Sequence, residues 1–378
     1  MENRMSLNPI ARRKFLGASL PLLVVALAIG APQPASAADA DYDAIVAKGV
    51  KYLASKQGDD GSYSAQIGIG PTALATLALL EHGRGTNDPQ VAKSLAYLEK
   101  AVREDGGVYA ANGRLKNYET CIALMCFNKA NTDGKYDEIV KNAENFVRGV
   151  QITDTDGVGE EDVTYGGSGY SGKTRPDLSN TAFLMDALVS SGAKEDDEAI
   201  QKALIFVSRC QNLESKYNTT KFAGKVNDGG FYYTPAVSGD QGDRGTPDGG
   251  LRSYGSMGYA GLKSMVYAGV ERDDPRVKAV LEYVEKNFDV TANPGMGQAG
   301  VFYYYQTFAK ALDAYGETTI TDASGVAHDW RKELIAELGK RQREDGSWAN
   351  SNTQWMEGDA NLATSFALMA LADCQAKK

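Results

Sequence analysis

The sequence predicts an all-α protein built as an (α/α)6 toroid of six outer–inner helical hairpins. Two observations lead to this fold class: a seven-residue phrase recurs, and amphipathic segments alternate with segments that are apolar nearly all round. The phrase reads Gln, three residues, Gly, one residue and an aromatic. It is clearest at Gln57–Tyr63 and Gln342–Trp348, and a degenerate copy at Arg103–Tyr109 has Arg in place of Gln. A repeat of this kind indicates stacked units that share one continuous core.

The outer helices are predicted from amphipathic periodicity. Apolar residues at 277, 280, 281, 284 and 288 follow the i, i+3, i+4, i+7, i+11 spacing of a helix with one buried face. The same pattern places outer helices near 41–56, 88–103, 135–150, 196–212, 275–288 and 329–343.

The inner helices are predicted from segments without a polar face, which other helices must surround. They fall near 71–82, 117–129, 178–191, 252–268, 301–315 and 360–373. Glycines at 83, 192, 269 and 316 follow four of them, where a left-handed C-terminal residue is expected. No alternating-polarity strand pattern competes. Six pairs in a closed ring leave no open ends to cap.

The recurring phrase lies at the turn from an outer to an inner helix, so we expect it to be structural rather than catalytic. Its glycine permits a tight bend, and its aromatic side chain can wedge between neighbouring hairpins. The Gln amide can satisfy free backbone groups at a helix end.

The first 37 residues are predicted to be a twin-arginine signal peptide. Arg12-Arg13-Lys14 precedes an apolar run from Leu20 to Ala31, and Ala35–Ala37 provides a small-x-small cleavage site. The alternative is a retained membrane anchor, but the run is short for a span of about 20 residues. We therefore expect residues 38–378 to form one toroid domain, periplasmic or extracellular, with no membrane span after cleavage.

The charge of the chain limits its partners. The formal net charge is −9, and losing residues 1–37 removes four of the 40 basic and one of the 49 acidic residues, leaving −12. An acidic body argues against nucleic acid and anionic membrane surfaces. The four cysteines form no CxxC pair and are expected to be packed thiols: Cys121, Cys126, Cys210 and Cys374.

The phrases QREDGSW and QGDDGSY resemble the QW motifs of the squalene-cyclase and protein-prenyltransferase repeat superfamily, over about residues 41–374. The resemblance implies the toroid fold, while one scaffold hosts unrelated chemistries. Prenyltransferases hold zinc with Asp, Cys and His, but this chain has only His82 and His328 and no Asp-x-Cys before an inner helix. Zinc needs three or four convergent ligands, so we expect no metal and no cofactor.

Class II cyclases, which the chain also resembles, carry a DxDD acid phrase before an inner helix. Asp177 matches its first Asp, but Ser179 and Asn180 replace the second and third. The resemblance therefore implies that cyclase chemistry is lost or that another acid supplies the proton. The Gly-Cys-Gly-Glu-Gln phrase of complement-like thioester domains, another user of this toroid, is absent. Whether the protein is an enzyme is left open.

Inner-helix N-termini direct positive dipole ends toward one mouth of the ring, where a site is expected. The candidate catalytic residues are Asp177, Asn180, Asp248, Arg252 and Tyr254. The candidate ligand-binding residues are Glu119, Tyr165, Tyr170, Tyr304, Tyr305 and Gln306. The alternatives are structural: Asp177 as a helix cap, Arg252 paired with a nearby Asp, and tyrosines filling hairpin junctions. The acidic segment 154–162 resembles a calcium loop in composition but is better explained as solvated.

Three functional hypotheses follow. The first is an exported, terpenoid-cyclase-like protein that binds a small ligand at the mouth of its cavity, with isoprenoids favoured by the resemblance. The second is a non-catalytic binding or scaffold protein of the cell envelope. The third is a carbohydrate-active toroid that binds a glycan and uses a carboxylate pair drawn from Glu119, Asp177 and Asp248. The sequence does not specify the oligomeric state.

Overall fold

The computed structural model describes residues 37–237 and 242–375. The predicted signal peptide lies outside this range except for its last residue, Ala37. Among the described residues, no helix has the length and apolarity needed to cross a membrane.

Twelve α-helices form two layers within the described range. The outer helices are α1 (Ala37–Lys56), α3 (Pro89–Glu99), α5 (Asp137–Gly149), α7 (Glu198–Arg209), α9 (Pro275–Lys286) and α11 (Trp330–Arg341). The inner helices are α2 (Gly70–Glu81), α4 (Lys116–Ala130), α6 (Leu178–Ser190), α8 (Gly255–Tyr267), α10 (Val301–Tyr315) and α12 (Ala360–Asp373).

The inner helices form a closed ring, because each packs on the next and α12 packs on α2. The outer helices α3, α5, α7 and α9 pack on the inner helix that precedes them, and α1 packs on α12. The (α/α)6 toroid predicted from the sequence is confirmed. The glycines at 83, 192, 269 and 316 have φ values of 77°, 98°, 67° and 84°, as expected for helix ends.

Two local predictions need correction. The fourth inner helix begins at Gly255 rather than near residue 252, because the preceding segment is extended: Gly245 and Leu251 form a bridge, and Tyr254 has φ −153°. In addition, a short antiparallel hairpin pairs β1 (Ile320–Thr321) with β2 (Ala327–His328), with Ile320 opposite His328. The hairpin lies between α10 and α11 in the chain.

The glutamine of each recurring phrase joins two neighbouring hairpins. Gln342 Nε2 donates to the carbonyl of Gly346 in its own phrase (3.0 Å) and to that of Ile45 in α1 (2.9 Å). Gln57 Nε2 donates in the same way to Gly61 (3.3 Å) and to Gln90 in α3 (2.8 Å). These bonds fix the next outer helix against the turn, so the phrase sets the spacing of the ring.

Two further copies of this arrangement have insertions within the phrase, which hides them in the sequence. Gln151 Nε2 donates to the carbonyls of Gly166 and Ala199, both at 2.9 Å. Gln211 Nε2 donates to Gly229 and Arg276, also both at 2.9 Å. In the degenerate copy the Arg103 guanidinium donates to Tyr109 O instead (2.8 Å).

A threonine on the inner helix completes four of these turns. Its hydroxyl accepts a hydrogen bond from the backbone N–H of the last residue of the phrase or of the residue next to it. The four pairs are Thr72 with Tyr63 (2.9 Å), Thr120 with Val108 (3.0 Å), Thr181 with Ser168 (3.1 Å) and Thr364 with Trp348 (3.0 Å). Tyr63 and Trp348 are fully buried, and the Trp348 indole donates to Leu338 O at 2.8 Å. The inner-helix N-termini are thereby held at one mouth of the ring.

The opposite end of the ring is closed by a buried ionic cluster. Asp186 on α6, 3% exposed, accepts hydrogen bonds from Lys263 Nζ at 2.5 Å and from the Tyr267 hydroxyl at 3.1 Å, both on α8. Lys310 on α10 lies 3.5 Å from the same carboxylate. A buried charge is stable only when it is paired and hydrogen-bonded, as Asp186 is.

The cysteines are buried and free, as predicted: Cys121, Cys126, Cys210 and Cys374.

Candidate functional site

A cavity of about 250 Å³ lies at the inner-helix N-terminal mouth. Its wall is mainly aromatic, and the rings come from five of the inner helices or the loops before them. These rings belong to Tyr118, Tyr170, Phe183, Tyr233, Tyr254, Tyr303, Trp355 and Phe366. Leu115, Met257, Met356 and Leu362 add aliphatic surface. A concave apolar wall of this kind is typical of a small-molecule site.

The rings on one side of the cavity contact one another in series. Tyr118 lies between Tyr170 (6.1 Å between ring centroids) and Phe183 (5.2 Å, edge-to-face). Phe183 then contacts Tyr303 (6.2 Å), and Tyr303 contacts Phe366 (6.0 Å, edge-to-face). These separations fall within the favourable range for aromatic pairs, so the wall is held in place before any ligand binds.

Glu119, in the first turn of α4, lines the cavity but has both carboxylate oxygens occupied. Oε1 accepts from the backbone N–H of Ile69, which caps α2, and Oε2 accepts from that of Ala110, both at 2.9 Å. Burial raises the pKa of this carboxyl, and the backbone hydrogen bonds oppose the rise. Glu119 therefore fastens the start of α2 to the α4 hairpin.

Glu357 holds the start of α10 in the way that Glu119 holds the start of α2. Its Oε1 accepts from the backbone N–H of Tyr303 in the first turn of α10 (2.8 Å), and its Oε2 accepts from Asn350 Nδ2 (2.7 Å). Burial again raises the pKa of the carboxyl. At the α8 N-terminus the corresponding contact is neutral, because Asn293 Oδ1 accepts from Ser256 N at 3.0 Å.

Asp177 is the N-cap of α6 and lies behind the aromatic wall rather than on it. Its Oδ1 accepts from Asn180 N (2.8 Å), and the Asn180 amide donates to both carboxylate oxygens (3.0 and 2.8 Å). Burial raises the pKa of Asp177 to about 7, and hydrogen bonds from Asn180 and Tyr233 oppose the rise. Tyr233 does line the cavity, so Asp177 is one side chain removed from it.

Two polar features complete the cavity. The hydroxyls of Ser179 and Tyr303, both in the cavity lining, form a hydrogen bond of 2.8 Å. At the rim, Trp355 and Met356 are 49% and 53% exposed and have φ values of 53° and 63°. Left-handed backbone at two consecutive non-glycine residues is costly and is found preferentially at functional sites.

The predicted site residues divide into two groups. Glu119, Tyr170 and Tyr254 line the cavity, and Asp177 and Asn180 lie directly behind it. The remaining six predicted residues do not line it: Tyr165, Asp248, Arg252, Tyr304, Tyr305 and Gln306. The structure places this second group away from the cavity.

Arg252 and Asp248 point to the outside because their segment is extended rather than helical. Arg252 is exposed, with Nη2 3.6 Å from Met296 Sδ, and Asp248 is exposed and accepts a bond from the Thr246 hydroxyl. Tyr165 lies near the Asp154–Lys202 ion pair on the outer layer. Asp154 and Asp156, in the acidic segment 154–162, each form an ion pair with a lysine. Among the residues described, no three metal-ligating side chains converge.

On α10 the helix phase selects a different tyrosine from those predicted. The hydroxyls of Tyr304 and Tyr305 donate to the carbonyls of Asp289 (2.6 Å) and Val290 (2.8 Å), so both face the preceding loop. Tyr303 faces the cavity instead. Successive residues of a helix are rotated by about 100°, and the sequence Tyr303-Tyr-Tyr305 carries no polarity signal to fix which one points inward.

Comparisons with known proteins agree with this geometry. Residues 69–234 match the family model of the squalene-hopene cyclase C-terminal domain. No curated protein sequence matches the chain significantly.

Solved structures share the fold at low identity. The type II terpene cyclase MstE from Scytonema, in a substituted form bound to its substrate geranylgeranyl dihydroxybenzoate, is 12% identical, with 89% of this chain and 98% of that chain covered and a TM-score of 0.53. The unliganded MstE is 11% identical, with 88% and 97% covered and a TM-score of 0.52. A glycosidase is 9% identical, with 90% and 98% covered and a TM-score of 0.50.

These identities are too low to transfer an activity. The residues that match the family model nevertheless lie within the part of the chain that the solved structures match. The chain is therefore similar over residues 69–234 to the squalene-hopene cyclase C-terminal domain, and its toroid fold is shared with type II terpene cyclases.

Proposed function

We propose that the protein binds a compact apolar ligand of isoprenoid type in the aromatic cavity at the inner-helix N-terminal mouth. The observation that carries the proposal is the cavity wall, in which eight aromatic rings enclose about 250 Å³. That volume lies just below the range of about 300–1,000 Å³ common for small-molecule pockets, so the ligand is small. The similarity of residues 69–234 to the squalene-hopene cyclase family model favours an isoprenoid over other apolar molecules.

Binding is favoured over acid-initiated cyclisation because the available acid is weak. Asp177, with a pKa raised to about 7 by burial, holds its proton too firmly to protonate an alkene. Both of its oxygens are engaged by Asn180. The two carboxylates that line the cavity are engaged by N–H donors as well.

The same occupancy weakens the carbohydrate-active alternative. A glycosidase mechanism needs two free carboxyl groups about 5–9.5 Å apart, flanking the scissile bond. Glu119 and Glu357 instead hold helix N-termini, and Asp248 is on the outer surface. The glycosidase match concerns the fold alone.

Tryptophan fluorescence provides a direct test with the chain from residue 38 onward. Trp330 and Trp348 are fully buried, whereas Trp355 is 49% exposed at the cavity rim. We expect geraniol, farnesol or geranylgeraniol to change the Trp355 emission and raise the melting temperature, while maltotetraose does neither. A panel without any emission change or thermal shift would refute the proposal.

A matched pair of variants locates the site on one helix. Ser179 lines the cavity at the start of α6, and Ser190 is exposed at its end. Ser179→Phe fills the cavity and should abolish the thermal shift caused by the ligand. Ser190→Phe should leave the shift intact, and an equal loss in both variants would place the ligand elsewhere.

We also propose export through the twin-arginine route, followed by removal of residues 1–37. The support is the Arg12-Arg13-Lys14 segment with its apolar run and cleavage site. Replacing Arg12 and Arg13 by Lys should retain the uncleaved precursor in the cytoplasmic fraction. Unchanged export of that variant would count against the route.

A further inference from the structure

The cavity has an unbalanced set of charged groups. Among its described lining residues there is no Lys, Arg or His, whereas two carboxylates, Glu119 and Glu357, are present. Asp177 lies behind the Tyr233 ring as a third acid. A ligand that carried a negative charge would meet no counter-ion inside this cavity, and one with a positive charge would meet acids on two sides.

The rings that form the wall are themselves suited to a cation. The face of an aromatic ring carries partial negative charge and attracts an ammonium or guanidinium group within about 6 Å. The protein shows this at the same site: the exposed Arg244 guanidinium lies 5.9 Å from the centroid of the Tyr233 ring. Tyr118, Tyr254 and Trp355 offer further ring surface around the cavity.

The inner-helix N-termini would ordinarily favour an anion at this mouth, because their free N–H groups are positive. Here four of the six helix ends already carry a carboxylate. Glu119 accepts from Ile69 N at the start of α2, and Glu357 accepts from Tyr303 N in α10. Asp177 caps α6, and Asp359 caps α12 through Leu362 N. The usual attraction of helix ends for phosphate is therefore reduced at these four ends.

We propose that the ligand of this cavity is an organic cation, an apolar group joined to a substituted ammonium, rather than a neutral terpene or a phosphorylated one. The inference rests on the proposed function, because it specifies the charge of the ligand that the aromatic cavity binds. The apolar part occupies the space between Phe183, Met257 and Phe366, and the ammonium lies against the tyrosine faces and the Glu357 carboxylate.

The test uses three probes with one geranyl tail and three end groups. They are geranyltrimethylammonium, its neutral analogue with a tert-butyl group in place of trimethylammonium, and geranyl phosphate. Dissociation constants are measured by Trp355 fluorescence and calorimetry at fixed ionic strength. We expect the ammonium probe to bind on the order of ten-fold more tightly than the neutral analogue, and the phosphate to bind more weakly than both.

Two variants assign the preference to named side chains. Glu357→Gln keeps an oxygen for Tyr303 N but removes the charge, so it should weaken the ammonium probe several-fold more than the neutral analogue. Glu344→Gln, at an exposed carboxylate of the last phrase, is the matched control and should change neither. Trp355→Leu removes one ring from the half-exposed rim of the cavity and, measured by calorimetry, should weaken the ammonium probe by about three-fold more than the neutral analogue.

The outcomes separate this inference from the proposed function. Equal affinity for the ammonium and neutral probes would overturn the cationic ligand while the apolar site stands. Tightest binding of geranyl phosphate, lost in Arg244→Gln, would overturn it in favour of an anionic head group held at the rim. Failure of all three probes, together with the isoprenoid alcohols, would remove the apolar site and the inference with it.

Discussion

Replacing Asp177 by Asn should flatten the dependence of stability on pH. Asp177 is 2% exposed, and burial raises its pKa from the ordinary 3.8 to about 7. Because the folded-state pKa lies above the unfolded one, the folded protein holds a proton that the unfolded chain has released between these values. The stability associated with this group is therefore fully present below about pH 4 and is lost as pH rises through about 7.

The size of the effect follows from the two pKa values. The difference between 3.8 and about 7 corresponds to about 4 kcal/mol of unfolding free energy, as an upper limit at neutral pH and above. The Asn variant carries no charge at any pH, so it escapes this loss. It also preserves the cap of α6, since Asn and Asp are comparable N-caps.

The surroundings of Asp177 are already suited to an uncharged group. Asn180 Oδ1 is buried without a hydrogen-bond partner, while the Asn180 amide nitrogen faces the carboxylate. Turning the Asn180 side chain over would present that oxygen to the new amide nitrogen, or to a protonated carboxyl. A buried acceptor without a partner costs about 1–3 kcal/mol, so satisfying it offsets part of the loss of the charged bonds.

Urea denaturation between pH 4.5 and 9 measures the effect, as the difference in unfolding free energy between Asp177→Asn and the unchanged protein. As pH rises from 5 to 8, the unfolding free energy of the variant should increase by a few kcal/mol relative to that of the unchanged protein. Asp248→Asn, at an exposed carboxyl, is the control and should follow the unchanged protein closely. Parallel curves for Asp177→Asn and the unchanged protein would refute the reasoning.

Three further predictions concern the ring. Gly166→Ala should destabilise the protein by more than the 1–3 kcal/mol typical of a residue with positive φ, because the new Cβ would lie 1.8 Å from a backbone oxygen of α7. Gly192 also has positive φ but faces open space, so Gly192→Ala should show only the cost of the backbone conformation in urea titrations. Asp186→Asn should cost about 3–5 kcal/mol, because it leaves Lys263 buried without its partner; a cost below 1 kcal/mol would mean that the cluster is hydrated. Asp373→Asn should lessen the stability lost between about pH 4 and 8, because burial raises this pKa to about 8, and an unchanged slope in thermal melts would contradict it.

The sequence was sufficient to predict the ring and most helix ends. The bounds of α10 and α12 match the predicted ones, and the other helices differ by a few residues at their ends. These features depend on local signals, namely apolar periodicity, capping residues and glycines that follow helices. The phrase around Gln342 could be recognised for the same reason, since its seven residues are contiguous.

The copies at Gln151 and Gln211 could not be recognised, because insertions separate each glutamine from its glycine. The bonds from both glutamines are nevertheless the same as in the contiguous copies. Only the folded chain brings the separated parts together.

The candidate site was predicted in part. The inner-helix N-terminal mouth, Glu119, Tyr170 and Tyr254 were identified from the sequence, and these residues line the cavity. Trp355 and Glu357 were missed, since their loop carries no repeat signal and the strained turn at Trp355 is visible only in the backbone. A carboxylate two residues before the N-cap of an inner helix, as Glu357 is before Asp359, is the signal that could have identified Glu357.

By itself, the sequence determined that twelve helices alternate between a surrounded and a half-exposed environment, and hence that they close into two concentric layers. The tertiary structure alone decided which side chains meet in the central cavity, and that its carboxylates hold helix ends rather than stand free. The physical reason is range: helix propensity and amphipathicity act within a few residues, whereas a contact such as that between Tyr303 N and Glu357 joins positions 54 residues apart.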